Sequence, residues 1–188
     1  MTGADVVFDH LHREVAWRCP VVTMYERRLH QPRLSAWYRL DGGVVVGAGA
    51  DDAEDGGALG SLDPRPLLSA VPVLDEVRTA LSRTYGVTFD SIGLNLYRDG
   101  EDSVAWHGDR HARTRTRADR RHREPRVVTS VPAASERGGP STSFRLHAGD
   151  LLVMGGACQH DWEHGVPKVR GAGPRMSVTF RHSSPAPG

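Results

Sequence analysis

The sequence predicts a mainly β protein of sandwich or jelly-roll type with flanking helices, and three observations carry this. From Phe89 onward, short strand-like runs follow one another: SIGLNLY, SVAWHGD, FRLHAGDLLVMGG and RMSVTFR. Asp-Gly, Gly-Asp and Gly-Gly pairs separate them, and these are residues that turn a chain sharply. Ahead of them, Leu67 to Tyr85 sets Val73, Leu74, Val77, Leu81 and Tyr85 at helical spacing. Many short strands joined by turns close into two packed layers or a roll.

Taken in chain order, Met1 to Glu14 is polar and acidic, where a secretory leader would be basic and then apolar. The stretch with Asp51, Asp52, Glu54, Asp55, Gly56 and Gly57 reads as a solvated loop. Leu67 to Tyr85 is expected to be one helix with Pro72 in its first turn, where a missing N–H costs nothing. The four strand runs follow, interrupted by Arg110 to Arg126, which holds eight arginines against Asp119 and Glu124. By composition that segment is loop or disordered chain. No internal repeat is present.

With 188 residues, 38% of them hydrophobic, the chain can build one real core but not two, so residues 1–188 are expected to form a single domain. No apolar stretch approaches the roughly 20 residues of a membrane helix, and a cytoplasmic monomer without membrane contact is the expectation. Cys19 and Cys158 are too few for a disulfide framework or a structural zinc cluster. A net charge of +1 neither requires nor excludes nucleic acid, because distribution decides that. Lys168 is the only lysine; abundant Arg, Ala, Gly and Pro reflect GC-rich codons more than a selected surface.

The chemistry centres on His107-Gly108-Asp109 in a strand-like run. Residues two apart on a strand share a face, so imidazole and carboxylate can converge on one ion. With a distant second histidine they make a facial triad, which leaves three octahedral positions open on a redox-active iron. The spacing alone is weak, since His12-Arg13-Glu14 and His122-Arg123-Glu124 repeat it as surface charge. On spacing alone a polar surface pair is the better reading.

Order along the chain changes that reading. Asn95-Leu96-Tyr97 with Asp99-Gly100, then His107-x-Asp109, Trp162-Glu163-His164 and Arg175-Met176-Ser177-Val178-Thr179-Phe180-Arg181 form a series that resembles the AlkB-like dioxygenases from about Val22 to Arg181. The resemblance implies a double-stranded β-helix, with its metal and 2-oxoglutarate core over residues 92–181 and a nucleotide-recognition lid over residues 16–49. It implies Fe(II) held by His107, Asp109 and His164, with His160 as the competitor for the third place. It also implies 2-oxoglutarate and O2 as cosubstrates and oxidative dealkylation, with nucleic acid bases as the leading substrate.

The cosubstrate asks for a buried cation with two donors in a plane to meet its distal carboxylate. Arg175 matches the family at that place, Asn95 and Tyr97 add neutral donors from one strand face, and Arg181 resembles the arginine near the C1 end. The alternative makes the arginines exposed strand charges and Tyr97 core packing. For the substrate, enzymes that act on a base take it out of the stack and hold its phosphates with cations. Arg33 for a phosphate and Trp37 or Tyr38 for a base are the candidates, and Trp37 and Tyr38 read equally well as core residues of a hairpin. Val44 to Gly49 lacks the aromatic residues that relatives carry there, and His111 stands where several have an acid.

One departure is large. Relatives follow the metal motif with an apolar strand, Ser-Leu-Gly and a second strand, where this chain has arginine-rich sequence from His111 to Gly138. Reading Ala118 to Pro140 one nucleotide later with GC-rich codons can give PTVVIVSLGSSRRFLLRPSAAG, which has both strands. The expectation is therefore a β-helix with damaged central strands. The alternatives to an active nucleic acid dealkylase are an impaired family member and an oxygenase acting on protein or a small molecule. A basic arm gripping phosphates is the functional alternative for the segment itself.

Overall fold

A computed structural model describes residues 3–24, 26–40, 63–107, 126–128, 132–135, 141–155 and 162–182. Helix α1 (Gly3–Glu14) leads into a hairpin of β1 (Val21–Met24) and β2 (Arg27–His30), followed by β3 (Leu34–Arg39). Two helices come next, α2 (Pro64–Ala70) and α3 (Val73–Tyr85), and then β4 (Ser91–Tyr97) and β5 (Val104–His107). The remaining strands are β6 (Arg126–Val128), β7 (Pro132–Ser135), β8 (Thr142–Ser143), β9 (Leu152–Met154), β10 (Trp162–Val166) and β11 (Arg175–Arg181). They form a five-stranded sheet in the order β3-β4-β11-β6-β9, a four-stranded sheet β5-β10-β7-β8, and the separate β1-β2 hairpin. No helix among the described residues is long and apolar enough to cross a membrane.

The large sheet has one apolar and one polar face because its three best-formed strands keep a strict two-residue alternation. Antiparallel pairing sets Ala36 beside Leu94 and Tyr38 beside Ile92, with Phe180 beside Ile92 and Val178 beside Leu94 on the other side. These side chains share one core with Leu11 and Val15 at the end of α1, Leu67 of α2, and Leu74 and Leu81 of α3. Ile92 and Leu94 are completely enclosed, each contributing about 1.5–3 kcal/mol of burial. The opposite face carries Ser35, Trp37, Asn95, Tyr97, Arg175, Ser177, Thr179 and Arg181 in matching register. The helices thus cover one side of the sheet and leave its polar side for chemistry.

Two expectations are corrected. The expected single helix from Leu67 is two, because Val71 leaves the helical region at φ −132° and Pro72 starts α3 afresh. A residue before proline is pushed out of the α region by the ring, which explains the break. The run from Phe144 is strand only over Leu152–Met154. His147 to Asp150 closes a turn instead, with Asp150 N–H donating to His147 O at 3.1 Å, Asp150 Oδ2 accepting from His147 N–H at 2.8 Å, and Gly149 at φ 89°.

The two central strands expected to be damaged are short pieces among the described residues. Residues 126–128 form β6, which meets β11 at Phe180↔Val127 and β9 over Arg126↔Met154, Val127↔Val153 and Val128↔Leu152. Residues 132–135 form β7, which pairs with β10 from Trp162↔Ser135 to His164↔Ala133 and also with β8. Backbone ladders do not need apolar side chains, and the β-branched Val127 and Val128 favour the extended state. Residues 111–125, 129–131 and 136–138 lie outside the described residues.

Candidate active site

His107 ends β5 and His164 sits inside β10, and antiparallel pairing makes them direct cross-strand partners. Their ring centroids are 4.3 Å apart, tilted by 50°. Gly165 allows this closeness: a Cβ there would lie 3.0 Å from Val104 O and 3.3 Å from Ala105 O, so any side chain would push β10 off β5. The register also shifts between His164 and Val166, a local irregularity of the kind that re-aims a side chain. The His107 Nδ1 lies 2.9 Å from Ala105 O. A carbonyl only accepts, so Nδ1 carries a hydrogen, which leaves Nε2 as the nitrogen for a metal. Asp109 and His160, the sequence's third ligand and its competitor, lie outside the described residues.

The polar face of β3-β4-β11 collects the other candidates. Arg175 pairs with Tyr97 across β11 and β4, its guanidinium carbon 4.9 Å from the Tyr97 ring centroid. One Arg175 Nη donates to Pro167 O at 3.3 Å, while its Nε is buried with no hydrogen-bond partner among the described residues. A buried cationic donor without an acceptor is costly, and an incoming carboxylate would remove that cost. Burial pushes the Tyr97 hydroxyl above the usual tyrosine range, and Arg33 and Arg175 pull it partly back, so it remains a neutral hydrogen-bonding group. Asn95 Oδ1 accepts from Ser35 Oγ at 2.7 Å and from Arg33 Nε at 3.2 Å. Arg181 lies at the other end of the strand, its guanidinium 4.7 Å from the Trp37 ring centroid.

The turn from β4 to β5 ties the two halves together. Asp102, 3% exposed, accepts from Arg98 N–H at 2.8 Å and from its guanidinium at 2.8 and 2.9 Å. Those Arg98 hydrogen bonds hold the Asp102 carboxyl below its usual range despite burial. Gly100 lies flat against the chain before β11: a Cβ would run into Val169 O, and Val169 N–H donates to Gly100 O at 2.9 Å. The strand with His107 and the strand with Arg175 are therefore stitched through one turn. Sequence reasoning singled out Asp99-Gly100 only as part of a series, and neither Asp102 nor Gly165 was recognised. The signal for Asp102 was an acid four residues after an arginine in a Gly-containing turn.

Of the three residues proposed for substrate, Tyr38 is corrected: it is 5% exposed in the core with Ile92 and Leu94, on the helix side of the sheet. Adjacent strand residues face opposite ways, so Trp37 takes the polar face and Tyr38 cannot share it. Arg33 turns inward to Asn95 rather than standing free for a phosphate.

The fold carries a histidine pair on one β sheet and an arginine-bearing polar face on another, donor groups that suit a non-haem metal and an anionic cosubstrate on a jelly-roll scaffold. The chain belongs to the 2OG-Fe(II) oxygenase superfamily, whose family model matches residues 53–181. Its sequence is similar to alpha-ketoglutarate-dependent dioxygenase alkB homolog 3 of Bos taurus, 31% identical over 98% of this chain, and of Homo sapiens, 30% identical over 98%. It is also similar to DNA oxidative demethylase ALKBH2 of Arabidopsis thaliana, 29% identical over 93% of this chain. The chain spans 63% of the length of the two alkB homolog 3 relatives and 60% of the Arabidopsis protein. Among solved structures it shares its fold with a 2OG-Fe(II) oxygenase family oxidoreductase from Burkholderia pseudomallei, with a TM-score of 0.53 and 14% identity over 95% of this chain and 78% of that one. The structure of OsALKBH1 matches with the same TM-score of 0.53, 14% identity, and coverage of 96% of this chain and 91% of that one. Membership brings Fe(II), 2-oxoglutarate and O2 as the reaction's requirements. The donor set fits them: two adjacent imidazoles for a metal and a buried, unsatisfied guanidinium donor for a carboxylate.

Proposed function

We propose that this chain is an AlkB-like dioxygenase that removes alkyl groups oxidatively from nucleic acid bases, DNA or RNA. The observation that supports it most is the cross-strand pairing of His107 with His164, which brings two imidazoles within reach of one ion. In this reading His107, Asp109 and His164 hold Fe(II). Arg175 meets the distal carboxylate of 2-oxoglutarate, with Asn95 and Tyr97 around it and Arg181 toward the C1 end. Held there, Fe(II) would supply the O2 chemistry by which an N-alkyl carbon is oxidised while 2-oxoglutarate is oxidatively decarboxylated to succinate and CO2. The protein's part is positional. The Ala105 carbonyl holds the His107 ring through Nδ1 and leaves Nε2 for the metal, and Arg175 with Tyr97 orients a dianion that water would otherwise solvate. Residues 92–181 are the metal and cosubstrate core of a single domain, and residues 16–49 the lid toward the nucleic acid. The protein acts as a cytoplasmic monomer.

The test is succinate formation by the full chain with Fe(II) and 2-oxoglutarate, with and without a methylated oligonucleotide. Succinate that rises with the oligonucleotide, matched by aldehyde release, supports the proposal. Succinate that does not respond to any alkylated nucleic acid, or responds only to a protein or small molecule, overturns the substrate. No succinate at all overturns activity and leaves a binding module.

A further inference from the structure

Strand β3 lies in the segment expected to recognise nucleotides, yet Ser35 and Trp37 on its polar face, with Arg33 just ahead of it, engage residues assigned to the cosubstrate. Ser35 pairs with Asn95 in the sheet register, and Ser35 Oγ and Arg33 Nε both donate to the one oxygen Asn95 Oδ1. Because a guanidinium only donates, the Asn95 amide cannot flip without losing the Arg33 bond and reversing the one from Ser35. Trp37 pairs with Gly93, and its six-membered ring lies directly over that glycine, in the space a Cβ would fill. The indole is held at that place over the sheet, and the guanidinium of Arg181 lies over its ring, 4.7 Å from the centroid. A half-buried indole under a guanidinium holds that cation through its ring quadrupole.

We propose that Trp37, seated on Gly93, and the pair Arg33 and Ser35 are positioning residues for 2-oxoglutarate rather than contacts to a base or a phosphate. Trp37 orients Arg181, while Arg33 and Ser35 fix the Asn95 amide. The inference rests on the assignment of Asn95, Arg175 and Arg181 to the cosubstrate. It moves two residues of the expected lid from substrate recognition into the cosubstrate wall.

The experiment measures 2-oxoglutarate binding by calorimetry on the full chain with Mn(II) as a redox-inert metal, alongside binding of a methylated single-stranded oligonucleotide by fluorescence anisotropy. Trp37→Leu keeps apolar cover on Gly93 but no ring face, and should weaken 2-oxoglutarate binding about tenfold, the size of a desolvated cation–π contact. Trp37→Phe should recover most of that loss, a rescue that a purely structural role would not single out. Ser35→Ala should weaken the cosubstrate by about three- to tenfold through the freed amide, and oligonucleotide binding should be unchanged in all three. A variant that fails to fold shows it in thermal unfolding, and the Phe variant then carries the comparison against wild type through the KM for 2-oxoglutarate. Unchanged cosubstrate binding in Trp37→Leu with weakened oligonucleotide binding would overturn the inference. Arg175→Ala in the same titration separates the two levels: if it too binds normally, the cosubstrate assignment itself has failed.

Discussion

In the proposed function, Arg175 is the residue on which the cosubstrate site depends. Its Nε is buried without an acceptor among the described residues, and its guanidinium lies 4.9 Å from the Tyr97 ring centroid. Truncating a buried charged contact of this kind costs about 2 to 5 kcal/mol. Arg175→Ala should therefore raise the KM for 2-oxoglutarate by well over tenfold, and Arg175→Lys should recover only part because lysine lacks the planar fork. Normal cosubstrate affinity in the alanine variant would remove Arg175 as the anchor. Asp102 acts on stability instead. Its folded pKa is depressed, chiefly by the Arg98 side-chain hydrogen bond, so its contribution is present above the unfolded carboxylate range and is lost as pH falls through the folded value. Asp102→Asn should lower stability by about 1–2 kcal/mol at neutral pH, discounted because Arg98 is half exposed. The gap to wild type should close below about pH 4, as followed by thermal unfolding across pH.

At the scale of elements, the contact between β5 and β10 decides whether two histidines become one site. Gly165 leaves only 3.0 Å between an ideal Cβ and Val104 O, so Gly165→Val must separate the strands. Calorimetric Mn(II) affinity should fall by tenfold or more while the separate α-helical core stays intact by circular dichroism. A valine variant that binds metal like wild type would mean the histidines do not depend on strand approach. The helices show the same dependence on neighbours. Proline's effect on Val71 was readable in principle, but the apolar spacing from Leu67 to Tyr85 runs straight across the break and hides it. In Phe144–Leu151 the strand-forming residues are overruled by a turn that Gly149 and Asp150 build locally.

For the whole molecule, the sheet works as a partition: helices and apolar side chains on one side, cations and amides on the other. Leu94 is 1% exposed on the apolar side, and Leu94→Ala should cost about 2–5 kcal/mol in chemical denaturation. Loss of less than about 1 kcal/mol would mean the core packs elsewhere. Metal couples to the same stability, because a metal bound only by the folded chain adds about 2.7 kcal/mol at a hundred times its dissociation constant. Adding Mn(II) should raise the melting temperature of the wild type and leave that of His107→Ala unchanged, and a chelator should reverse the gain. Equal shifts in both proteins would place the metal at another site.

By itself the sequence determined the β character, the central strands Ser91–Tyr97 and Arg175–Arg181, and the candidate chemical groups, because strand alternation and motif order are local and survive without coordinates. The same alternation already implied that Trp37 and Tyr38 face opposite ways, but not which of them faces the helices. That choice needed the packing of α1, α2 and α3 against Ala36, Tyr38 and Leu94. Only the tertiary structure set His107 opposite His164, turned Arg33 toward Asn95 and laid Trp37 under Arg181, across separations of 57, 62 and 144 residues along the chain. It also decided that residues 126–128 and 132–135 pair as strands, since an arginine-rich composition says little about a backbone whose ladder partners are supplied by β9, β10 and β11.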